Sequence, residues 1–169
     1  MPNLRLILLR HAKSAWDDLN LTDHARPLNE RGRNDSKVIG VWLSAQGYLP
    51  DQVFCSTASR TVETWQRLSD GWSEAPEPRF LDDLYHAPPH LMRAVLAAAT
   101  GNTVLMIGHN PGIAALGQDI VSTAPSHAKF MTFPTAATLV VDFANSNWSE
   151  AAQSRGVLVD FVVPKDLSS

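Results

Sequence analysis

The chain has little cysteine: Cys55 is the single one among 169 residues. No internal disulfide can form, and one thiol cannot build a thiolate metal cage. Cys55 follows Val53 and Phe54 in an apolar run and reads as a buried structural thiol. Charge of one sign is also scarce. Lys and Arg total 14, Asp and Glu 17, and the formal net charge is −3. That argues against a nucleic-acid binder with a broad basic surface, but a local arginine cluster remains possible. No apolar run approaches the ~18 residues of a membrane span. The N-terminal run Leu4 to Leu9 is too short for one and lacks a small-residue cleavage site. There is no H-E-x-x-H and no G-x-x-x-x-G-K phosphate loop. The expectations are a cytoplasmic protein with no metal, no cofactor, no nucleic-acid partner and no membrane partner.

What is present is an ordinary globular composition, 44% hydrophobic and 18% charged. The length fits one domain over residues 1–169. Leu4 to Leu9 reads as a strand buried on both faces. A long polar loop, RHAKSAWDDLNLTDHARPLNERG, follows it. Val38, Val41, Trp42 and Ala45 recur at helical spacing, and Gly47 ends that helix. Gln52 to Ser56 is a second strand, followed by a helical face of Ala58, Val62, Trp65 and Trp72. Arg79 to Leu81 is a short strand. Pro88 and Pro89 open a helix with Leu91, Val95 and Ala98 on one face. Thr103 to Ile107 is another strand. Asn110 caps and Pro111 begins a helix through Ile113, Leu116 and Ile120. Thr138 to Phe143 and Val157 to Val163 are the last strands, an antiparallel edge hairpin without a helix between them. Alternating strands and helices predict an α/β sandwich around a mostly parallel sheet.

Ligands of such sheets bind beyond the carboxyl ends of the strands. The strand ends carry Arg10 and His11, then Ser56 to Thr61 with Arg60, then Gly108, His109 and Asn110. Two arginines and two histidines from distant segments thus meet at one edge. Guanidinium groups grip phosphate oxygens bidentately, and the helix after Asn110 is expected to aim free N–H groups at the same place.

These residues carry a resemblance. Leu9-Arg10-His11-Ala12 is similar to the R-H-G signature of the histidine phosphatase superfamily, with Ala for the usual Gly. Ser56 to Thr64 resembles its S-x-x-x-R-x-x-x-T segment, and Gly108 to Gly112 its second-histidine motif. Asp23 to Gly32 resembles the D-x-x-R-P-L-x-x-x-G segment of the short, SixA-like phosphohistidine phosphatase branch. The resemblance implies a three-layer α/β/α sandwich of the phosphoglycerate mutase type, minimal and without a lid insertion. It implies that His11 attacks phosphorus and becomes phosphohistidine, that Arg10, Arg60 and His109 hold the equatorial oxygens, and that water completes turnover. Asn110 and Ser56 are further candidates for substrate contact.

A nucleophilic His11 must be neutral, which Arg10 and Arg60 nearby favour, and a backbone carbonyl on its other nitrogen would fix the tautomer. Leu81-Asp82-Asp83 resembles the segment that carries the general acid in larger relatives, which points to Asp83. Asp17, Asp18 and Asp23 are rivals. Asp23 and Arg26 read more readily as a structural ion pair. Three functions compete: a phosphatase acting on a phosphohistidine protein or a small phosphorylated metabolite, a mutase, and a phosphate-binding module without turnover.

Overall fold

A computed structural model describes residues 4–168. Six strands form one sheet: β1 (Leu4–Arg10), β2 (Gln52–Ser56), β3 (Arg79–Leu81), β4 (Thr103–Gly108), β5 (Thr138–Phe143) and β6 (Val157–Val162). Their spatial order is β3-β2-β4-β1-β5-β6. The pairs β2·β3, β2·β4 and β1·β4 are parallel. The hairpin partners β5 and β6 are antiparallel at one edge, as expected, and β5 is also antiparallel to β1.

The layers follow from the period of two along β1. Leu4, Leu6 and Leu8 enter one core with Met92, Leu96, Ile113, Leu116, Phe130 and Phe133. Ile7 and Leu9 enter the other with Ile39, Leu43, Trp65 and Leu68. Helices α3 (Pro89–Ala97), α4 (Gly112–Ile120) and α5 (Trp148–Ala151) cover the first face. Helices α1 (Glu30–Gln46), α2 (Ser59–Ser69) and α6 (Pro164–Leu167) cover the second. Helix α5 corrects the expectation that nothing helical joins β5 to β6. The Asn147 side chain accepts from Glu150 N–H and so starts this single turn.

Two predicted helix faces are corrected. Helix α1 buries Gly32, Ser36, Ile39, Gly40 and Leu43, while Val41 is 70% exposed. Helix α3 buries Met92 and Leu96, and Leu91 stays exposed. Both stripes sit about one residue from the expected ones. Trp65 is buried as expected, whereas Trp42 and Trp72 are half-buried at the helix edges. The Cys55 thiol is fully buried, and burial pushes its pKa up.

The two ends of the strands differ. At the amino end of β4, Gln52 Oε1 accepts from the N–H groups of Thr100 and Gly101, both at 2.8 Å. The Asp51 carboxylate accepts from Asn102 and Thr103, both at 3.1 Å. Trp148 Nε1 donates to Gly101 O at 2.6 Å. At the carboxyl ends the chain leaves through loops, the longest joining β1 to α1. Among the described residues, from Ser69 to Pro89 there is only β3 and one 3₁₀ turn (Asp82–Leu84).

Candidate active site

The loop after β1 is pinned on three sides. His11 N–H donates to Gly108 O at the end of β4. The carbonyls of Arg10 and His11 both accept from Ala136 N–H, just before β5. Ala12 N–H donates to Thr64 Oγ1 at 3.0 Å, and the same hydroxyl donates to Arg60 O at 2.6 Å. The threonine of the arginine motif therefore ties the His11 loop to α2. Helix α1 closes over the loop, with Asn29 N–H donating to Lys13 O. A Cβ on Gly32 would stand 2.1 Å from that oxygen, so only glycine permits this approach.

His11 is buried, with Nδ1 2.7 Å from Ala12 O. A carbonyl can only accept, so Nδ1 carries the proton and Nε2 keeps its lone pair. Burial pushes the His11 pKa down to about 3, with Arg10, Arg60 and Arg26 acting in the same direction against the Ala12 carbonyl. His109 lies 5.2 Å away, centroid to centroid. Its Nε2 is 2.8 Å from Ser56 Oγ, and its Nδ1 has no partner. Ser56 Oγ also accepts from Ala58 N–H, at 3.3 Å, and holds the His109 ring in place through Nε2. Burial foremost, then His11 and Arg60, lowers the pKa of His109.

Arg10 donates to Phe133 O at 3.2 Å, and Arg60 donates to Asp23 through the carbonyl at 2.7 Å and Oδ2 at 3.0 Å. The Nε of each arginine is buried without a partner. Burial lowers the pKa of Arg10, and Arg60 adds to it by repulsion. A cation in the first turn of α2 opposes the helix dipole, so Arg60 relies on Asp23 and on whatever anion enters. Arg10, His11, Arg60, His109 and Asn110 line one cleft of about 220 Å³, together with Lys13, Ser14, Trp16, Asp23, Arg26, His86 and Thr135. Two guanidinium groups beside a neutral imidazole whose Nε2 keeps its lone pair suit a tetrahedral anion.

The sequence reading undervalued Asp23. Its carboxylate receives Arg26 at 2.6 Å, Arg60 at 3.0 Å and His86 Nε2 at 3.1 Å, besides the Tyr85 hydroxyl. These donors, Tyr85 foremost, hold its pKa well below the usual carboxylate range. The i,i+3 pair with Arg26 was visible in the sequence, but Arg60, Tyr85 and His86 come from distant segments. His24 hydrogen-bonds Thr57, and Thr57 donates to Asp82.

Other candidates fall elsewhere. Asp83 is exposed in the 3₁₀ turn and does not reach the cleft. Asp18 accepts from Asn20 N–H on the outer loop, and Asp17 borders a neighbouring groove. Ser56 is fully buried beneath His109 and orients that ring without facing the cleft. Helix α4 starts at Gly112, later than expected. Two of its first-turn amides are spent on His109 O (from Ile113) and Asn110 Oδ1 (from Ala114), so those two are not offered to a ligand. Trp16 is 66% exposed, with the Arg26 guanidinium 3.4 Å from its ring centroid; it covers a cation and does not anchor in the core.

Known proteins agree with this picture. The profile of the histidine phosphatase superfamily (branch 1) matches residues 6–85. An uncharacterised protein of Mycobacterium tuberculosis is 34% identical over 164 residues, covering 93% of this chain and 100% of that one. A solved structure assigned as phosphohistidine phosphatase SixA of Agrobacterium tumefaciens superimposes with a TM-score of 0.81 at 30% identity, over 97% of this chain and 99% of that chain. A similarly assigned structure from Nakamurella multipartitia gives 0.84 at 28% identity, over 97% and 98%. With its arginines and histidines gathered at the carboxyl edge of the sheet, the chain belongs to the histidine phosphatase superfamily, in its SixA-like branch.

Proposed function

We propose that this phosphatase works through a phosphohistidine on His11 and that its natural substrate is a phosphohistidine or phosphate ester presented by another protein. The observation that carries the reading is the His11 ring. Ala12 O accepts a hydrogen bond from Nδ1–H, which leaves Nε2 as the nucleophilic nitrogen beside Arg10, Arg60 and His109. Phosphoryl transfer asks the protein mainly for position and charge stabilisation, and a covalent intermediate divides the barrier. Arg10, Arg60 and His109 supply donors for the equatorial oxygens. Asp23 holds Arg60 and Arg26 in place. The open edge, with only β3 and a 3₁₀ turn between α2 and α3, favours a phosphoryl group on a protein surface over a small metabolite that must be enclosed. It also disfavours a mutase, which has to exclude water during transfer.

The test is hydrolysis of para-nitrophenyl phosphate with and without a chelator. Wild type turns over in both conditions and forms an acid-labile phosphoenzyme. His11→Ala loses about 10³-fold or more in kcat. Equal rates for the two proteins would remove His11 from the mechanism. Comparing phosphohistidine proteins with small phosphate esters by kcat/KM then decides the substrate class.

A further inference from the structure

The His11 reading explains attack on phosphorus but leaves the departing group without a proton donor. Asp83 is not in the cleft. Asp23 is in it, but its oxygens already accept from Arg26, Arg60, Tyr85 and His86, which commits it to the anionic form. His109 is bound to Ser56 and is kept neutral by burial. That leaves His86, whose ring lines the cleft with its centroid 5.1 Å from that of His109. Resting on the reading of His11 as nucleophile, we propose that His86, backed by Asp23, is the catalytic acid that protonates the leaving group.

Three observations support this. First, Nε2 of His86 lies 3.1 Å from Asp23 Oδ2; the carboxylate can only accept, so this nitrogen carries a proton and Nδ1 is the other exchange site. The carboxylate thereby fixes the orientation of the ring, as a catalytic acid requires. Second, His86 adopts φ 53°, a left-handed conformation that is strained for a non-glycine residue and tends to occur where function requires it. Third, the neighbouring residue is held: a Cβ on Gly112 would stand 1.9 Å from Ala87 O, so the start of α4 packs closely against the residue next to His86.

As the His11 Nε2–P bond forms, the P–O bond breaks and its electron pair stays on the leaving oxygen. That oxygen takes the Nδ1 proton of the His86 imidazolium. In the second step His86 removes a proton from water as the water oxygen bonds phosphorus. The P–N pair returns to His11 and inorganic phosphate leaves. For a phosphohistidine substrate the same proton goes to the departing imidazole.

The experiment measures phosphoenzyme formation in single turnovers across aryl phosphates, from 2,4-dinitrophenyl phosphate to phenyl phosphate. His86→Asn is the variant of choice because asparagine tolerates the left-handed region. The expected loss is about 100-fold with phenyl phosphate, shrinking to within about 3-fold with the dinitrophenyl ester, which needs no protonation. In His86→Gly, added imidazole restores phenyl phosphate turnover. An equal loss across the series, or no loss at all, would overturn the assignment. Failure to find phosphate on His11 in wild type would instead remove the nucleophile, and the leaving-group dependence and imidazole rescue would still decide His86.

Discussion

His11 and His109 are buried imidazoles that stay neutral because water is kept from them, with guanidinium groups for neighbours. The consequence for stability has a definite sign. Both pKa values are lowered in the folded protein, to about 3 for His11, against about 6.5 in an unfolded chain. Between those values the unfolded chain binds protons that the folded one does not. Their contribution is therefore complete above about pH 6.5 and is lost progressively as pH falls towards 3. Denaturant midpoints measured from pH 7.5 to 4.5 should fall with a slope that His11→Asn reduces; an unchanged slope would contradict neutral burial. His11 stays neutral throughout this range in the free protein. An acid limb in kcat/KM near pH 6 would then report protonation of the substrate phosphate, whose second pKa is about 6.

At the scale of elements, the site is assembled by close approaches between helix starts and loops. Helix α4 begins against Ala87 O through Gly112, and this contact sets the loop carrying Tyr85 and His86 against His109. Gly112→Ala should cost about 1–3 kcal/mol through overpacking and should lower kcat more than it raises KM; a variant with unchanged stability and activity would show that the loop is placed by other contacts. The strands were legible to within a residue or two because runs such as Leu6 to Leu9 and Val104 to Ile107 are unbroken by polar side chains. The faces of α1 and α3 were not. The buried stripe of α1 has perfect helical spacing, yet Gly32, Ser36 and Gly40 form most of it, chosen for close approach and invisible to a search for bulk. In α3, Met92 and Leu96 compete with the neighbouring stripe of Leu91 and Val95, and periodicity alone cannot choose between them. The quartet Arg10, His11, Arg60 and His109 was readable from strand ends. The Asp23 hub was not, because three of its four partners arrive from distant segments of the chain.

The whole molecule carries a formal charge of −3 while its cleft gathers Arg10, Arg26, Arg60 and Lys13 around the single carboxylate of Asp23. An anionic exterior around a cationic hollow directs phosphate to one place and disfavours adhesion to other polyanions. Raising ionic strength from 20 to 500 mM should lower kcat/KM for a dianionic aryl phosphate several-fold with little change in kcat; an effect of equal size on kcat would point to the chemical step. The same molecule is built unevenly from end to end. Asp51 and Gln52 lace the turn at 100–103 to the amino ends of the strands, while the opposite rim is left to loops. Variation is thereby channelled: lengthened connections on the rim can reshape what the enzyme accepts, whereas a single residue inserted at the laced end breaks several bonds together. A lineage on this scaffold is free to change its clientele while its foundation stays fixed.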